Sequence, residues 1–253
     1  MAVSDDSLAT FRPDVRRRWG EATAGLLCAV FLVIIVLEHL WAGGLALEFL
    51  VVVAVALALE SLLVLVTIDR TSVSDTTTFT LATGVTIARA AAVAVLAGFV
   101  ATRPPPGLLV WAPGALFAVA AALDAVDGAI ARTTGTETDL GARLDVEVDA
   151  FVVFVGSIVA VTAGAAPIAF LAVGIARYLF AGSLWWRQRR GRDVFELQPS
   201  RFRRPLGALA MLAIWLAILP VPDQDVSRVV TTIVLVPFLV NFVRDWLFAT
   251  GRG

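Results

Sequence analysis

Apolar runs and short polar breaks alternate along the whole chain. The runs fall near residues 22–41, 46–68, 80–101, 108–131, 141–163, 166–186, 205–220 and 227–247. Between them lie turn-forming and charged stretches: AGG at 42–44, DRTSVSDTTT at 69–78, RPPPG at 103–107, GAAP at 164–167 and PVPDQD at 220–225. A helix needs roughly 20 apolar residues to cross the hydrocarbon layer of a bilayer. The pattern therefore predicts an all-α integral membrane protein with about eight spans, of which 205–220 is the shortest. No internal repeat is visible.

Composition supports the same class. Apolar residues make up 59% of the chain, charged residues only 16%, and the mean hydropathy is +0.87. Soluble domains carry about 25% charged residues. The first apolar run is too long for a cleavable signal peptide and lacks a convincing cleavage site, so it is expected to be a retained span. The net charge of −1 says nothing about partners, and no nucleic-acid partner is expected.

The distribution of charge says more, because all 20 basic residues are arginine. If the N-terminus is inside, the inner segments hold Arg12, Arg16, Arg17, Arg18, Arg70, Arg132, the run from Arg187 to Arg204, Arg244 and Arg252. The outer loops then hold only Arg103 and Arg228. That asymmetry predicts that both termini are cytoplasmic. The longest polar connection, WWRQRRGRDVFELQPSRFRRP at 185–205, reads either as an ordinary positive-inside loop or as a basic wall for phosphate-bearing substrates.

One polar stretch breaks the pattern by its density. Residues 124–149, DAVDGAIARTTGTETDLGARLDVEVD, contain Asp124, Asp127, Asp139, Asp145 and Asp149 with Arg132 and Arg143. Asp124 and Asp127 are three residues apart near the end of one predicted helix; Asp145 and Asp149 are four apart at the start of the next. Such spacings share a helical face. The short inner loop between makes the two helices antiparallel neighbours, so four carboxylates can converge at one depth. Four clustered carboxylates repel, and at membrane depth they call for cations or a wet cavity.

A divalent ion is the natural compensation. The single cysteine, Cys28, and the single histidine, His39, cannot build a sulfur or multi-imidazole site. Carboxylate ligands favour Mg²⁺ or Mn²⁺, ions that commonly share their shell with substrate phosphates. Gly128 and Gly141 would let a ligand approach the backbone, Ala131 keeps the face small, and Arg132 can reach a phosphate. Thr138 and Asp139 precede Gly141 in the manner of N-terminal caps. A cation transporter could use carboxylates too, but would not require Gly128, Ala131 and Arg132 at fixed offsets.

Those residues carry a resemblance. Asp124-x-x-Asp127-Gly128-x-x-Ala131-Arg132, eight residues, then Gly141-x-x-x-Asp145-x-x-x-Asp149 resembles the complete signature of the CDP-alcohol phosphotransferases (CDP-alcohol phosphatidyltransferases), with no position missing. The resemblance implies a dimeric six-helix membrane core over about 76–253, its active site open to the cytoplasm. Residues 1–75 then add an N-terminal segment and two accessory helices. The implied reaction transfers a substituted phosphate from a CDP-alcohol, such as CDP-diacylglycerol, to the hydroxyl of an acceptor alcohol and releases CMP, as in phospholipid biosynthesis. It implies that Asp124, Asp127, Asp145 and Asp149 hold a pair of Mg²⁺ or Mn²⁺ ions. It also implies that Asp149 acts as general base, while Gly128, Ala131, Arg132 and Gly141 shape the cytidine diphosphate site. The expected partners are a CDP-lipid donor, a small alcohol and membrane lipids, in the plasma membrane. A non-glycerolipid donor, or a CDP-lipid-binding protein without turnover, is the alternative.

The first core helix would be 80–101. Its TGVTIAR at 83–89 keeps the family's Thr86 and Arg89 but has Thr83 where asparagine is common. Members acting on glycerol 3-phosphate tend to carry a lysine after the last motif aspartate; here Ala150 stands there, which argues against that acceptor. Arg89, Arg143, Arg177, Arg201, Arg203 and Arg204 are candidates for a lipid or acceptor phosphate, with snorkelling or pairing to a carboxylate as the plainer role. Glu38, His39, Glu48 and Glu60 in the first two helices read as interfacial or packing polars, and Glu147 as a packing contact. Glu60 also leaves room for a second site.

Overall fold

The structure, a computed structural model, describes residues 13–70, 81–134, 139–195, 200–221 and 223–252. Among them are eight α-helices: α1 (Pro13–Leu40), α2 (Leu47–Arg70), α3 (Leu81–Gly98), α4 (Ala112–Thr134), α5 (Asp139–Thr162), α6 (Leu171–Arg189), α7 (Arg203–Ile218) and α8 (Gln224–Ala249). Each lies on one of the eight apolar runs. Four segments of the described residues are long and apolar enough to cross a membrane: Arg17–Leu40, Leu47–Asp69, Ile168–Arg189 and Gln224–Ala249. The chain is an integral membrane protein. The other helices are shorter or more charged: α3 has 18 residues, α7 has 16, and α4 and α5 give one end each to the aspartates. Helix α1 starts before its apolar run because the arginines and glutamate of RRRWGEA are good helix formers.

The chain forms two compact units: residues 1–98 with 119–148, and 99–118 with 149–253. In the first, α1, α2 and α3 pack on one another. The α1–α2 turn needs Gly43 and Gly44, which have φ of 100° and 78°. Glu38 closes that turn by accepting a 2.8 Å hydrogen bond from the Leu45 amide. The two helices then run antiparallel. Trp41 meets Phe49 near the turn, and Trp19 donates to the Ser61 hydroxyl at 2.9 Å far from it. Phe49, Val53, Ala56 and Glu60 form the buried stripe of α2, at spacings of four, three and four. Helix α3 is buried continuously from Arg89 to Ala97, mostly alanine and valine. Small side chains let helices approach closely in a bilayer, where van der Waals packing drives association.

The second unit holds the start of α4, the rest of α5, and α6 to α8. Gly156 lies against Phe117 and Ile214, and Gly174 against Ser157 and the Phe154 backbone. Trp215 donates its indole N–H to the Gly114 carbonyl at 3.1 Å. Carbonyls at the end of α5 are satisfied from α8: Arg228 Nε donates to Gly164 O at 2.7 Å, and Gln224 to Ala163 O at 3.1 Å. At the other end of α8, Arg187 of α6 donates to the Thr250 carbonyl at 3.0 Å, and the Phe195 amide donates to Ala249 O. These bonds satisfy carbonyls that a helix end would otherwise leave open.

Candidate active site

The site begins with one buried cation. Arg89 sits on the most enclosed stretch of α3, and its side chain has no exposed surface. Its Nη1 donates to Oδ1 of Asp124 on α4 at 2.8 Å and to Oδ1 of Asp145 on α5 at 2.6 Å. A guanidinium is always charged and is costly to bury unless paired. Here it draws acids from two different helices onto a single nitrogen. The carboxylates themselves are only partly covered, with side-chain exposures of 38% and 39%. The cation is therefore sealed while the two acids keep an open side.

Asp145 and Asp149 lie one turn apart on α5, and Asp149 opens the part of that helix belonging to the second unit. Asp149, Glu147 and Gly141 are partly buried. Asp127, Gly128, Ala131 and Arg132 fall on the α4 helix, but their side chains lie outside the described residues, as does that of Asp139. Thr138 lies wholly outside them, and so does the loop it closes. Among the described residues no group of three or more acidic, histidine or cysteine side chains could hold a metal ion. The adjacent Asp124 and Asp145 nonetheless fit one: both are all-oxygen donors with a second oxygen each, the chemistry of a hard divalent cation.

The arginines expected at a substrate phosphate divide into groups. Arg143 on α5, Arg177 on α6, Arg201 just ahead of α7 and Arg204 in its first turn are exposed. Arg203 is half-buried and committed, its Nε donating to Asp245 Oδ2 on α8 at 2.9 Å. The hydrogen bond with Asp245 holds the Arg203 pKa above the ordinary arginine value, so the guanidinium stays charged through the physiological range. Asn241 donates to the same carboxylate oxygen at 3.1 Å. Sequence reasoning did not single out Asn241 or Asp245; the available signal was an amide and an acid four residues apart in an apolar run. For Arg89 the structure shows the plainer of the two expected roles, pairing with carboxylates, and the partners are two motif aspartates. In the 185–205 connection, Arg189 stacks on Trp185 and Arg190 on Trp186, at 4.3 and 4.5 Å from the ring centres.

The motif aspartates and the helix that carries Arg89 all lie within one matched region. The profile of the CDP-alcohol phosphatidyltransferase family matches residues 79–243, more than half the chain. The chain belongs to this family. CDP-alcohol phosphatidyltransferases transfer a phosphatidyl group from a CDP-alcohol and generally use divalent metals. The match opens two residues before α3 and closes within α8, so α1 and α2 lie ahead of it. Comparison with curated proteins gives no match, and neither does comparison with solved structures.

Proposed function

We propose that this phosphatidyltransferase moves the substituted phosphate of a CDP-lipid, CDP-diacylglycerol or a close relative, to the hydroxyl of an acceptor alcohol and releases CMP. The observation that carries this reading is the pairing of Asp124 and Asp145 from α4 and α5, within a chain of this family. In this reading Asp124, Asp127, Asp145 and Asp149 hold Mg²⁺ or Mn²⁺. A bound ion supplies charge neutralisation to the diphosphate and to the phosphate that leaves.

The chain's own residues do the rest. Gly128, Ala131 and Gly141 leave room for the cytidine diphosphate, and Arg132 contacts a phosphate. Asp149 takes the proton of the acceptor hydroxyl as its oxygen bonds to the lipid-bearing phosphorus. The bond from that phosphorus to the bridging oxygen breaks, and CMP leaves with that oxygen. Arg143, Arg177, Arg201 and Arg204 lie at the surface, where an acceptor or lipid phosphate can reach them, and Arg203 and Arg89 are engaged with carboxylates. The enzyme works as a homodimer in the plasma membrane, with both termini and the active site on the cytoplasmic side.

The test is CMP release by purified protein in detergent with CDP-diacylglycerol and Mg²⁺ or Mn²⁺. The acceptor panel is glycerol 3-phosphate, inositol, inositol phosphate, serine and phosphatidylglycerol. Acceptor-dependent CMP is expected, and Asp149→Asn is expected to lower it by at least about 10²-fold, the usual scale of a general base. CMP formation unchanged in that variant would remove Asp149 from the chemistry. No CMP with any acceptor, and no binding of the donor, would overturn the donor assignment.

A further inference from the structure

Arg89 belongs to α3, outside the aspartate motif, yet it makes a close polar contact at the site, 2.6 Å to Asp145. Its bonds to Asp124 and Asp145 each end on an Oδ1 atom. A carboxylate has a second oxygen and further lone pairs, so an ion can be held without breaking either bond. The guanidinium is fully enclosed, so it has no solvated position to retreat to when an ion arrives. We propose that Arg89 is a permanent internal counter-ion. It holds Asp124 and Asp145 together while the metal is absent and stays beneath them when the metal binds. This rests on reading those two aspartates as metal ligands.

The physical consequence concerns metal affinity. Without Arg89 the two carboxylates lose the cation they share, which destabilises the metal-free protein most. A divalent ion supplies the missing charge, so it restores stability and binds more tightly than to the wild type. A residue that merely packed the helices would shift stability equally with and without metal. Arg89 is thus a positioning residue: it spares the empty site its repulsion and sets how tightly the ion is held.

The experiment compares full-length wild type with Arg89→Gln and Arg89→Lys. It reads melting temperature in EDTA and in saturating Mn²⁺, and Mn²⁺ affinity from the electron paramagnetic resonance of free Mn²⁺. Arg89→Gln is expected to lower the melting temperature in EDTA by about 5–10 °C. Less than half of that loss should persist in Mn²⁺, and Mn²⁺ should bind roughly tenfold tighter. Arg89→Lys keeps the charge and should stay within a few-fold of wild-type affinity. The charge-balanced double variant Arg89→Gln/Asp145→Asn should recover most of the stability lost in EDTA, and it carries the test if Arg89→Gln does not fold. Equal losses with and without Mn²⁺, unchanged or weaker Mn²⁺ binding, or no recovery in the double variant would each overturn the proposal. A wild type that binds no Mn²⁺ would overturn the metal reading itself, a result distinct from any of these.

Discussion

Glu60 is an acid placed where an apolar residue would be expected. It occupies the buried stripe of α2, 4% exposed, and among the described residues neither carboxyl oxygen has a hydrogen-bond partner. An unpartnered buried polar group costs about 1–3 kcal/mol, and well-packed apolar replacements of buried ionisable groups are often stabilising. Glu60→Leu is therefore expected to raise the melting temperature in detergent by a few degrees. If thermal melting shows a lower temperature instead, Glu60 has a partner that matters, and the second site that the sequence left open becomes the better reading. The contrast with Arg89 shows what a sequence displays at this scale. Asp124 and Asp145 were legible as a pair because fixed spacings set them on two consecutive helices joined by a short polar stretch. Arg89 was legible as a charge within a helix that could pair with a carboxylate, but which carboxylate was not legible. Its bonds reach across 35 and 56 residues, and no local periodicity encodes that reach.

Helices were the most legible elements, because an apolar run of the right length has few alternatives in a bilayer. The contacts between them were not, since those depend on where a side chain is missing. Gly174 of α6 is the sharpest case. A Cβ there would collide with the Ser157 hydroxyl and come within 3.0 Å of the Phe154 Cα. Backbone cannot yield as a flexible side chain can, so Gly174→Ala should destabilise the α5–α6 contact by about 1–3 kcal/mol. Removing the hydroxyl relieves one of the two collisions, so Ser157→Ala/Gly174→Ala should melt above Gly174→Ala alone. Melting curves of the single and double variants check this; additive losses would mean that the two side chains do not meet. Nothing in the sequence distinguished Gly174 from an exposed glycine such as Gly182, which has open space around it.

At the scale of the whole molecule, the helices to account for are α1 and α2. They lie outside the matched family region, and the sequence suggested a division near residue 75. In the structure both pack on α3, with Gly98 of α3 close against Phe49 of α2 and Ile87 of α3 against Gly25 of α1. The helix they cover is the one that carries Arg89. Two physical pictures differ here. If α1 and α2 only add membrane anchorage, a chain of residues 76–253 should remain folded and release CMP at the full-length rate. If they hold α3 in place, removing them opens a face that is now buried and loosens the helix under Asp124 and Asp145. We favour the second picture, because small-residue packing of this kind gives α3 few contacts to replace those lost. The truncated chain is then expected to aggregate on size-exclusion chromatography, or to remain dispersed with CMP release reduced by about tenfold or more, as a misplaced catalytic group entails. A truncated chain that is monodisperse, as stable as the full-length protein and equally active would assign α1 and α2 to anchorage and leave the family core self-sufficient.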